Sequence, residues 1–459
     1  MYSKLQAIWR EDALFRRVVK NSGHLLSGNV IAAGLGFVQG ILAVRLLGVA
    51  DWGLVATVIT FASNINRLLT FRMSEVVVKR MGEALTRSSP GSSTGRGAIA
   101  EASAAVKAAM LAESLTSLVA FLVLAALTPW AAQTFAKNPQ TGPFFLAYGL
   151  ILLTNLAAES ATGVLQSQRR FDWIARLNIL QSLLTAGVIL YAFLARRGLE
   201  TVILAYVLGK SVNGLGLVFL AFWQLRQTLG ADWWKTPLAN LPEKRGMLTF
   251  MLNTNLIGTV NLFTRDNIPL YLAALLSTTQ VGYFKLAQGL INLILLPLDP
   301  LIWPTYTEIS RTVAEKQWAA TRQLLRRVSL TTGSVVGAIG GGLALTGWFL
   351  LPFLYGPQAL PAYPALLILL IGYGFASTFQ WNRPLLLALG KPGDPVWISL
   401  AVGVVELALI FSLVPHLGYL ALAGLLSAYF VVSISLMIGR GWTEMARQEK
   451  LSTSGQGNQ

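Results

Sequence analysis

Apolar stretches as long as a membrane span recur along nearly the whole chain, and short polar segments separate them. A helix needs about 20 predominantly apolar residues to cross the hydrocarbon core of a bilayer. Residues 118–127 and 366–375 are continuously apolar, whereas the strands of a transmembrane β-barrel alternate apolar and polar residues. The pattern therefore predicts an all-α membrane protein.

About twelve transmembrane helices are predicted from these stretches. They lie near residues 25–47, 52–72, 103–128, 143–165, 174–195, 200–223, 247–273, 281–303, 328–351, 362–389, 396–414 and 417–438. The second and seventh spans are the least hydrophobic of the set. Polar spans are typical of helices that line a cavity.

An internal repeat divides these spans into two lobes of six helices. Leu46-Leu47 followed by Gly53 matches Leu275-Leu276 followed by Gly282, each pair standing before an apolar span. A parallel repeat of this kind predicts two lobes related by a pseudo-two-fold axis along the membrane normal, with the substrate between them. The predicted segments are an N-terminal cytoplasmic amphipathic segment 1–24, an N-lobe 25–223, a cytoplasmic linker 224–246, a C-lobe 247–438 with an amphipathic segment 304–327, and a cytoplasmic tail 439–459.

Hydrophobic residues make up 54% of the chain and charged residues only 12%, which excludes a water-soluble globule. Of the 36 Lys and Arg residues, 27 fall on one side of the predicted topology, four on the other and five inside spans. Cytoplasmic loops are enriched in basic residues, so both termini are predicted to be cytoplasmic. The net charge of +16 then faces an anionic leaflet, and no nucleic-acid partner is needed to explain it.

Metal and cofactor chemistry has no sequence signal here. The chain contains no cysteine, and its two histidines, His24 and His416, show no metal-ligand spacing. There is no GxxxxGK[ST] motif for ATP and no catalytic triad motif. We therefore expect no cofactor, no metal and no enzymatic activity.

Five short motifs in a fixed order resemble a known family. They are Arg45-Leu46-Leu47-Gly48 with Asp51-Trp52-Gly53, then Asn253 and Asp266, then residues 281–287 (VGYFKLA), then Leu354-Tyr355-Gly356, then residues 388–392 (ALGKP). Together they resemble the O-antigen and polysaccharide flippases of the multidrug/oligosaccharidyl-lipid/polysaccharide (MOP) exporter superfamily, over residues 20–438. The resemblance implies a two-lobe fold in the inner (cell) membrane and export of a saccharide attached to a polyprenyl (pyro)phosphate. It also implies a saccharide polymerase and chain-length machinery as partners.

Charged side chains inside spans are the candidate site residues, since each costs about 2.5–3.5 kcal/mol on insertion scales unless it is paired or hydrated. The candidate substrate-binding cations are Arg67, Arg265, Arg383, Lys210 and Lys285. The candidate ion-coupling residues are Asp266, Glu406, Asn253 and Asn255. If the substrate carries a pyrophosphate, Arg67 and Arg265 are the preferred pair, because guanidinium groups bind phosphate oxygens in bidentate fashion.

Structural roles remain open for several of these cations. Lys285 lies near a span end and could extend to lipid head groups. Arg265 could pair with a carboxylate, and Arg383 precedes Pro384, where a kink would be expected.

Three other functions also remain open. A drug or cation antiporter of the same superfamily would carry an acidic group in its first span, and residues 25–47 contain none. A membrane-embedded saccharide polymerase or ligase would present a sizeable outer loop, which is not predicted. A lipid II flippase resembles the chain in substrate class, but that family typically carries two extra spans.

Overall fold

The protein is helical throughout the part of the chain that the structure describes. The computed structural model describes residues 13–70, 73–87, 93–240, 262, 266–295 and 298–456. No strand occurs within these ranges, and the predicted all-α class is confirmed. Nine helical stretches of the described ranges are long and apolar enough to cross a membrane. The chain is a multi-pass membrane protein, and the count of twelve spans stays a prediction.

The helices are numbered here in chain order. They are α1 (Ala13–Leu69), α2 (Met73–Arg87), α3 (Ser93–Thr134), α4 (Gly142–Thr154), α5 (Ala158–Ser167), α6 (Phe171–Leu194), α7 (Leu199–Leu229), α8 (Ile268–Leu275), α9 (Thr278–Leu295), α10 (Asp299–Ala314), α11 (Trp318–Tyr355), α12 (Ala362–Thr378), α13 (Asn382–Ala388), α14 (Gly393–Leu417) and α15 (Tyr419–Gln456).

Six of the twelve predicted spans coincide with single helices. The third, fifth, sixth, ninth, eleventh and twelfth spans correspond to α3, α6, α7, α11, α14 and α15. The first two lie in α1 and are separated by a kink at Gly48, whose φ of 82° is in the left-handed region that favours glycine. The predicted seventh span, residues 247–273, lies mostly outside the described residues.

Two spans predicted as continuous are interrupted. The fourth breaks after Thr154, where Asn155 (φ −116°, ψ 26°) leaves helical geometry, and α5 restarts at Ala158. The tenth breaks after Thr378 and restarts as α13 at Asn382. Pro384 lies in the first turn of α13, a position that tolerates proline because its missing N–H would have no intrahelical partner there. Apolar periodicity alone does not reveal such interruptions.

The described chain forms two compact units. The first contains Met1–Leu46, Phe61–Gln133 and Asn138–Thr259, and the second contains Leu47–Thr60, Thr134–Lys137 and Val260–Gln459. The predicted lobe boundaries are not tested by this division and stay predictions.

The same succession of helices occurs in both units. The series α2 to α7 has its counterpart in α10 to α15, with the interrupted helix third in each series. Four helices in each series are followed by a residue with positive φ, and three of these residues in each series occupy matching places. They are Lys137, Arg169 and Arg196 after α3, α5 and α6, and Gly356, Gly390 and Gly418 after α11, α13 and α14. The described backbone therefore contains an internal repeat of helices, and the lobe boundaries drawn from the sequence stay predictions.

Each unit has its own hydrophobic core, built from matching helices. In the first unit, buried residues of α2, α3, α5 and α7 pack together around Met81, Val106, Val164 and Leu225. In the second, α10, α11, α13 and α15 do the same around Ile309, Leu325, Leu385 and Met445. Within a bilayer such packing stabilises each unit through van der Waals contacts between helices, because lipid tails are as apolar as the buried side chains.

The two glycines of the sequence repeat lie at a close approach of backbones within the second unit. A Cβ on Gly53 would lie 1.8 Å from the carbonyl oxygen of Thr278, and one on Gly282 would lie 2.2 Å from the carbonyl oxygen of Val49. No side chain fits at either position. Glycine is therefore required there by packing.

Candidate functional site

A polar cavity of 420 Å³ lies within the first unit, among helices that correspond to predicted spans. Its lining residues come from the second half of α1, from α3 to α7 and from the break between α4 and α5. They are Ala62, Ser63, Asn66, Thr70, Glu113, Ser117, Tyr148, Ile151, Leu152, Asn155, Ala158, Glu159, Thr162, Ile174, Asn178, Gln181, Lys210, Asn213 and Leu217. A volume of this size is typical of a small-molecule site.

Glu113 on α3 holds the start of α5. One carboxylate oxygen accepts the backbone N–H of Glu159 at 2.8 Å, and the other accepts that of Ser160 at 2.8 Å. The side chain is only 3% exposed. The residue that precedes α5, Ala157, offers no side-chain cap of its own. A carboxylate at a helix N-terminus satisfies orphan N–H groups and interacts favourably with the helix dipole, so Glu113 supplies the missing cap from a neighbouring helix.

Asn155 occupies the gap between α4 and α5. Its side-chain amide donates to the carbonyl oxygen of Ile151 at 2.9 Å and to the hydroxyl of Thr154 at 3.2 Å. The Thr154 hydroxyl in turn lies 2.9 Å from that of Ser211 on α7. A Cβ on Gly214 would lie 2.1 Å from the Asn155 side-chain oxygen. The bare backbone at Gly214 therefore makes room for this asparagine.

Carboxamide side chains of α1, α6 and α7 form part of the cavity lining. Asn213 on α7 donates to Asn178 on α6 at 3.0 Å, which leaves the Asn178 NH₂ group available. The side chains of Asn66 and Gln181 make no hydrogen bond to any residue that the structure describes. Polar groups inside a membrane protein need a partner or a wet cavity, so these amides indicate that the cavity holds water or a polar ligand.

Three charged residues line the cavity: Lys210, Glu113 and Glu159. The Lys210 ammonium makes no hydrogen bond or ion pair within the described ranges. Glu159 accepts a hydrogen bond from the hydroxyl of Ser74 at 2.8 Å. The cavity is thus mixed in charge, with two carboxylates and one ammonium, whereas the sequence reasoning predicted a basic cavity.

Of the candidates that the structure describes, only Lys210 lines this cavity. Ser63 and Asn66 of α1 and Thr70 just after it also line the cavity, but Arg67, one residue after Asn66, does not and is exposed. Arg265, Asn253 and Asn255 lie outside the described residues, so their roles stay predictions.

The other candidates lie in the second unit. The ammonium of Lys285 on α9 donates to Gln288 at 3.0 Å, and the Gln288 amide donates to the hydroxyl of Tyr373 on α12 at 3.0 Å. The carboxylate of Asp266 attracts the same ammonium. These contacts bring two candidates, Lys285 and Asp266, into one network.

Glu406 and Arg383 lie elsewhere in the second unit. Glu406 on α14 is 4% exposed and interacts electrostatically with Tyr271. Arg383 is exposed at the start of α13. Neither is part of the Lys285 network as far as the described contacts go.

Sequence reasoning missed most of the cavity because it ranked cations first. Glu113, Asn155, Asn178, Gln181 and Asn213 all fall inside predicted spans, where uncharged polar residues are uncommon. Their positions in the third to sixth spans were the available signal. The described part of the chain contains no group of three or more His, Asp or Glu residues able to hold a metal ion.

Comparison with known proteins identifies the family. The model of the family described as "Polysaccharide biosynthesis protein" matches residues 41–364. Inner membrane protein YghQ of Escherichia coli (strain K12) is 24% identical over 361 residues, which cover 77% of this chain and 97% of YghQ.

Solved structures agree on the fold. A multidrug resistance MATE family transporter of the MOP superfamily, in an inward-facing conformation, matches with a TM-score of 0.66 at 14% identity. The match covers 91% of this chain and 95% of the transporter chain. The lipid II flippase MurJ, in an inward closed conformation, matches with a TM-score of 0.66 at 11% identity. This match covers 93% of this chain and 90% of the MurJ chain. The family model covers most of the chain, which therefore belongs to the polysaccharide biosynthesis protein family, and the solved structures show that it shares its fold with a MATE family transporter and with MurJ.

Proposed function

We propose that the chain moves a polyprenyl-(pyro)phosphate-linked saccharide from the inner to the outer leaflet by alternating access. The observation that carries this proposal is the amide-lined cavity among membrane-spanning helices of the first unit. A saccharide head group must shed water to cross the hydrocarbon core, and a polar cavity replaces that water with fixed hydrogen-bonding groups. The family match to polysaccharide biosynthesis proteins supports this substrate class.

The charged part of the substrate also needs a partner. Arg67 follows the cavity residue Asn66 directly, and we propose it as a contact for the phosphate groups, together with Arg265 and Arg383. A guanidinium binds phosphate oxygens in bidentate geometry, which a lysine ammonium does not reproduce. We propose ion coupling through Asp266 and Glu406, with Asn253 and Asn255 as further ligands.

Location and partners complete the proposal. The inner membrane is supported by the name of YghQ, and both termini are proposed to be cytoplasmic from the distribution of basic residues. A saccharide polymerase and chain-length machinery would act on the exported product. Because the chain contains no cysteine, single cysteines introduced at Gln140 and Ser454 report the orientation. An impermeant thiol reagent should label intact cells at position 140 only, and labelling at position 454 alone would invert the topology.

Transport itself can be tested with purified protein in lipid vesicles. A fluorescent polyprenyl-pyrophosphate oligosaccharide placed in both leaflets should become fully accessible to an external reductant only in vesicles that contain the protein. Arg67→Ala should abolish this movement without lowering the amount of folded protein, and Arg67→Lys should retain part of it. If Arg67→Ala moves as much lipid-linked saccharide per protein molecule as the wild type does, Arg67 is not part of the binding site.

A cation antiporter is the second candidate function, and one observation favours it. Glu113 and Glu159 give the cavity two carboxylates, which suit an organic cation. The fold is shared with a multidrug resistance transporter. Vesicles that show proton-driven uptake of an organic cation, with no movement of the lipid-linked saccharide, would establish this function in place of the flippase.

A further inference from the structure

We infer that the cavity of the first unit binds the uncharged, hydroxyl-bearing sugar part of the substrate and excludes its phosphate groups. This inference rests on the proposed function and specifies which part of the lipid-linked saccharide occupies the site. It concerns the lining of one unit only. Three observations carry it: the charge of the lining, the hydrogen-bonding side chains that lack a partner, and the apolar side chains that line the same cavity.

The charge of the lining disfavours a phosphate. Glu113 and Glu159 place two carboxylates in the wall against the single ammonium of Lys210. A pyrophosphate carries several negative charges, and like charges in a site of low dielectric repel strongly. An uncharged sugar meets no such repulsion. Both oxygens of Glu113 accept N–H groups of α5, so this side chain stays where it is when a neutral ligand enters.

The available hydrogen-bonding groups match hydroxyls. A carboxamide offers two donors and an acceptor, and a sugar hydroxyl both donates and accepts. The side chains of Asn66 and Gln181 have no hydrogen-bond partner among the described residues, and the NH₂ group of Asn178 takes no part in the bond to Asn213. Lys210 adds three donors, which suit hydroxyl oxygens as well as an anion.

Apolar side chains form the rest of the wall. Ile151 and Leu152 of α4 and Leu217 of α7 line the same cavity. Sugar rings present C–H groups on one face and hydroxyls at their edge. A wall that combines apolar side chains with a few placed polar groups is the usual composition of a small-molecule pocket.

Cysteine protection tests the inference directly. Ser63 lines the cavity and is exposed to it, so Ser63→Cys in this cysteine-free chain provides a single thiol at the site. The matched control is Gln227→Cys, at an exposed position near the end of α7 that does not line the cavity. The protein is placed in phospholipid nanodiscs, because many detergents carry sugar head groups. The rate of labelling by a small thiol reagent is then measured at constant ionic strength with a neutral trisaccharide, inorganic pyrophosphate or a quaternary ammonium ion.

The neutral trisaccharide should slow labelling of Ser63→Cys several-fold and leave Gln227→Cys unchanged, and pyrophosphate should protect neither. Gln181→Leu in the Ser63→Cys background should remove this protection, because leucine keeps the volume and loses the hydrogen bonds. Gln227→Leu is the matched substitution outside the cavity and should keep the protection. A melting temperature equal to that of the parent protein shows that Gln181→Leu is folded.

The remaining outcomes separate the inference from the proposed function. If pyrophosphate slows labelling of Ser63→Cys, if Lys210→Gln removes this protection, and if the trisaccharide gives none, the inference is overturned and the flippase function still stands. Protection by the quaternary ammonium ion alone overturns both and favours the antiporter. If none of the three probes slows the labelling of Ser63→Cys, the inference is overturned as well.

Discussion

In the first unit, the gap between α4 and α5 opens onto a cavity, and the carboxylate of Glu113 bonds to the helix that follows it. In the second unit, hydroxyl groups and an indole N–H make the hydrogen bonds around the matching gap between α12 and α13. In the second unit Thr332 of α11 donates to the carbonyl oxygen of Thr378, the last residue of α12, at 3.1 Å. The indole N–H of Trp381 donates to the Ser329 hydroxyl at 2.7 Å. The backbone break is thus common to both units, and the side chains around it differ.

The helix repeat preserves the backbone break in both units but does not preserve the side chains around it. The order of helices and the position of the break are kept, because they depend on apolar length and on how the backbone ends and restarts. In the first unit the buried carboxylate of Glu113 replaces a local cap at the break, and a cavity opens beside it. The comparison predicts that perturbing the two breaks has unequal consequences.

The largest effect is expected from removing the carboxylate in the first unit. Glu113→Ala leaves two buried N–H groups of α5 without an acceptor and should destabilise the protein by about 2–4 kcal/mol. Glu113→Gln keeps one acceptor oxygen and should lose less. Thermal melting in nanodiscs measures both variants. Equal melting temperatures for wild type and Glu113→Ala would contradict the assignment of Glu113 as the cap of α5.

A second test compares Gly214, which meets Asn155 at the break of the first unit, with Gly372 of α12, which packs against Ser427 of α15. In Gly372→Ala of α12 the new Cβ would lie 2.5 Å from the backbone Cα of Ser427, so the helices must separate at a cost of about 1–3 kcal/mol. In Gly214→Ala the new Cβ meets only the side chain of Asn155, at 2.1 Å. We expect Gly372→Ala to lower the melting temperature and Gly214→Ala chiefly to lower transport.

Gly187→Ala is the control for both glycine variants, because nothing lies within 4 Å of its new Cβ. Its melting temperature and transport should match those of the wild type. If Gly214→Ala transports normally, the position of Asn155 does not matter for the cavity. The comparison between the units would then rest on Glu113 alone.

The smallest effect is expected at the break of the second unit. Thr332→Val keeps the shape of the side chain and removes the hydrogen bond to Thr378, which should cost about 1 kcal/mol. Transport per folded molecule should be unchanged, since Thr332 is not among the proposed ligand residues and bonds to backbone carbonyl oxygens of Val328 and Thr378. A loss of transport as large as that of Glu113→Ala, at an unchanged melting temperature, would show that both breaks take part in the transport cycle.

Sequence alone predicted the class of protein and most helices, because span length and apolar character are read directly from the chain. The breaks at Asn155 and before Asn382 were not predicted, since a short interruption within an apolar stretch leaves hydropathy nearly unchanged. The cavity was missed for a geometric reason. Which face of α3 carries Glu113, and which residues of α5 to α7 it meets, depends on helix rotation and packing, and neither follows from composition.

The carboxylate that caps α5 also constrains how the protein is made. Glu113 precedes Glu159 by 46 residues, so α3 leaves the ribosome first. At about 5–20 residues per second, roughly 2–9 seconds pass before α5 has been synthesised. A lone carboxylate is costly in hydrocarbon during that interval. We therefore expect α3 to settle fully in the bilayer only when α5 arrives, so that the segment from α3 to α5 is inserted as one unit of biogenesis.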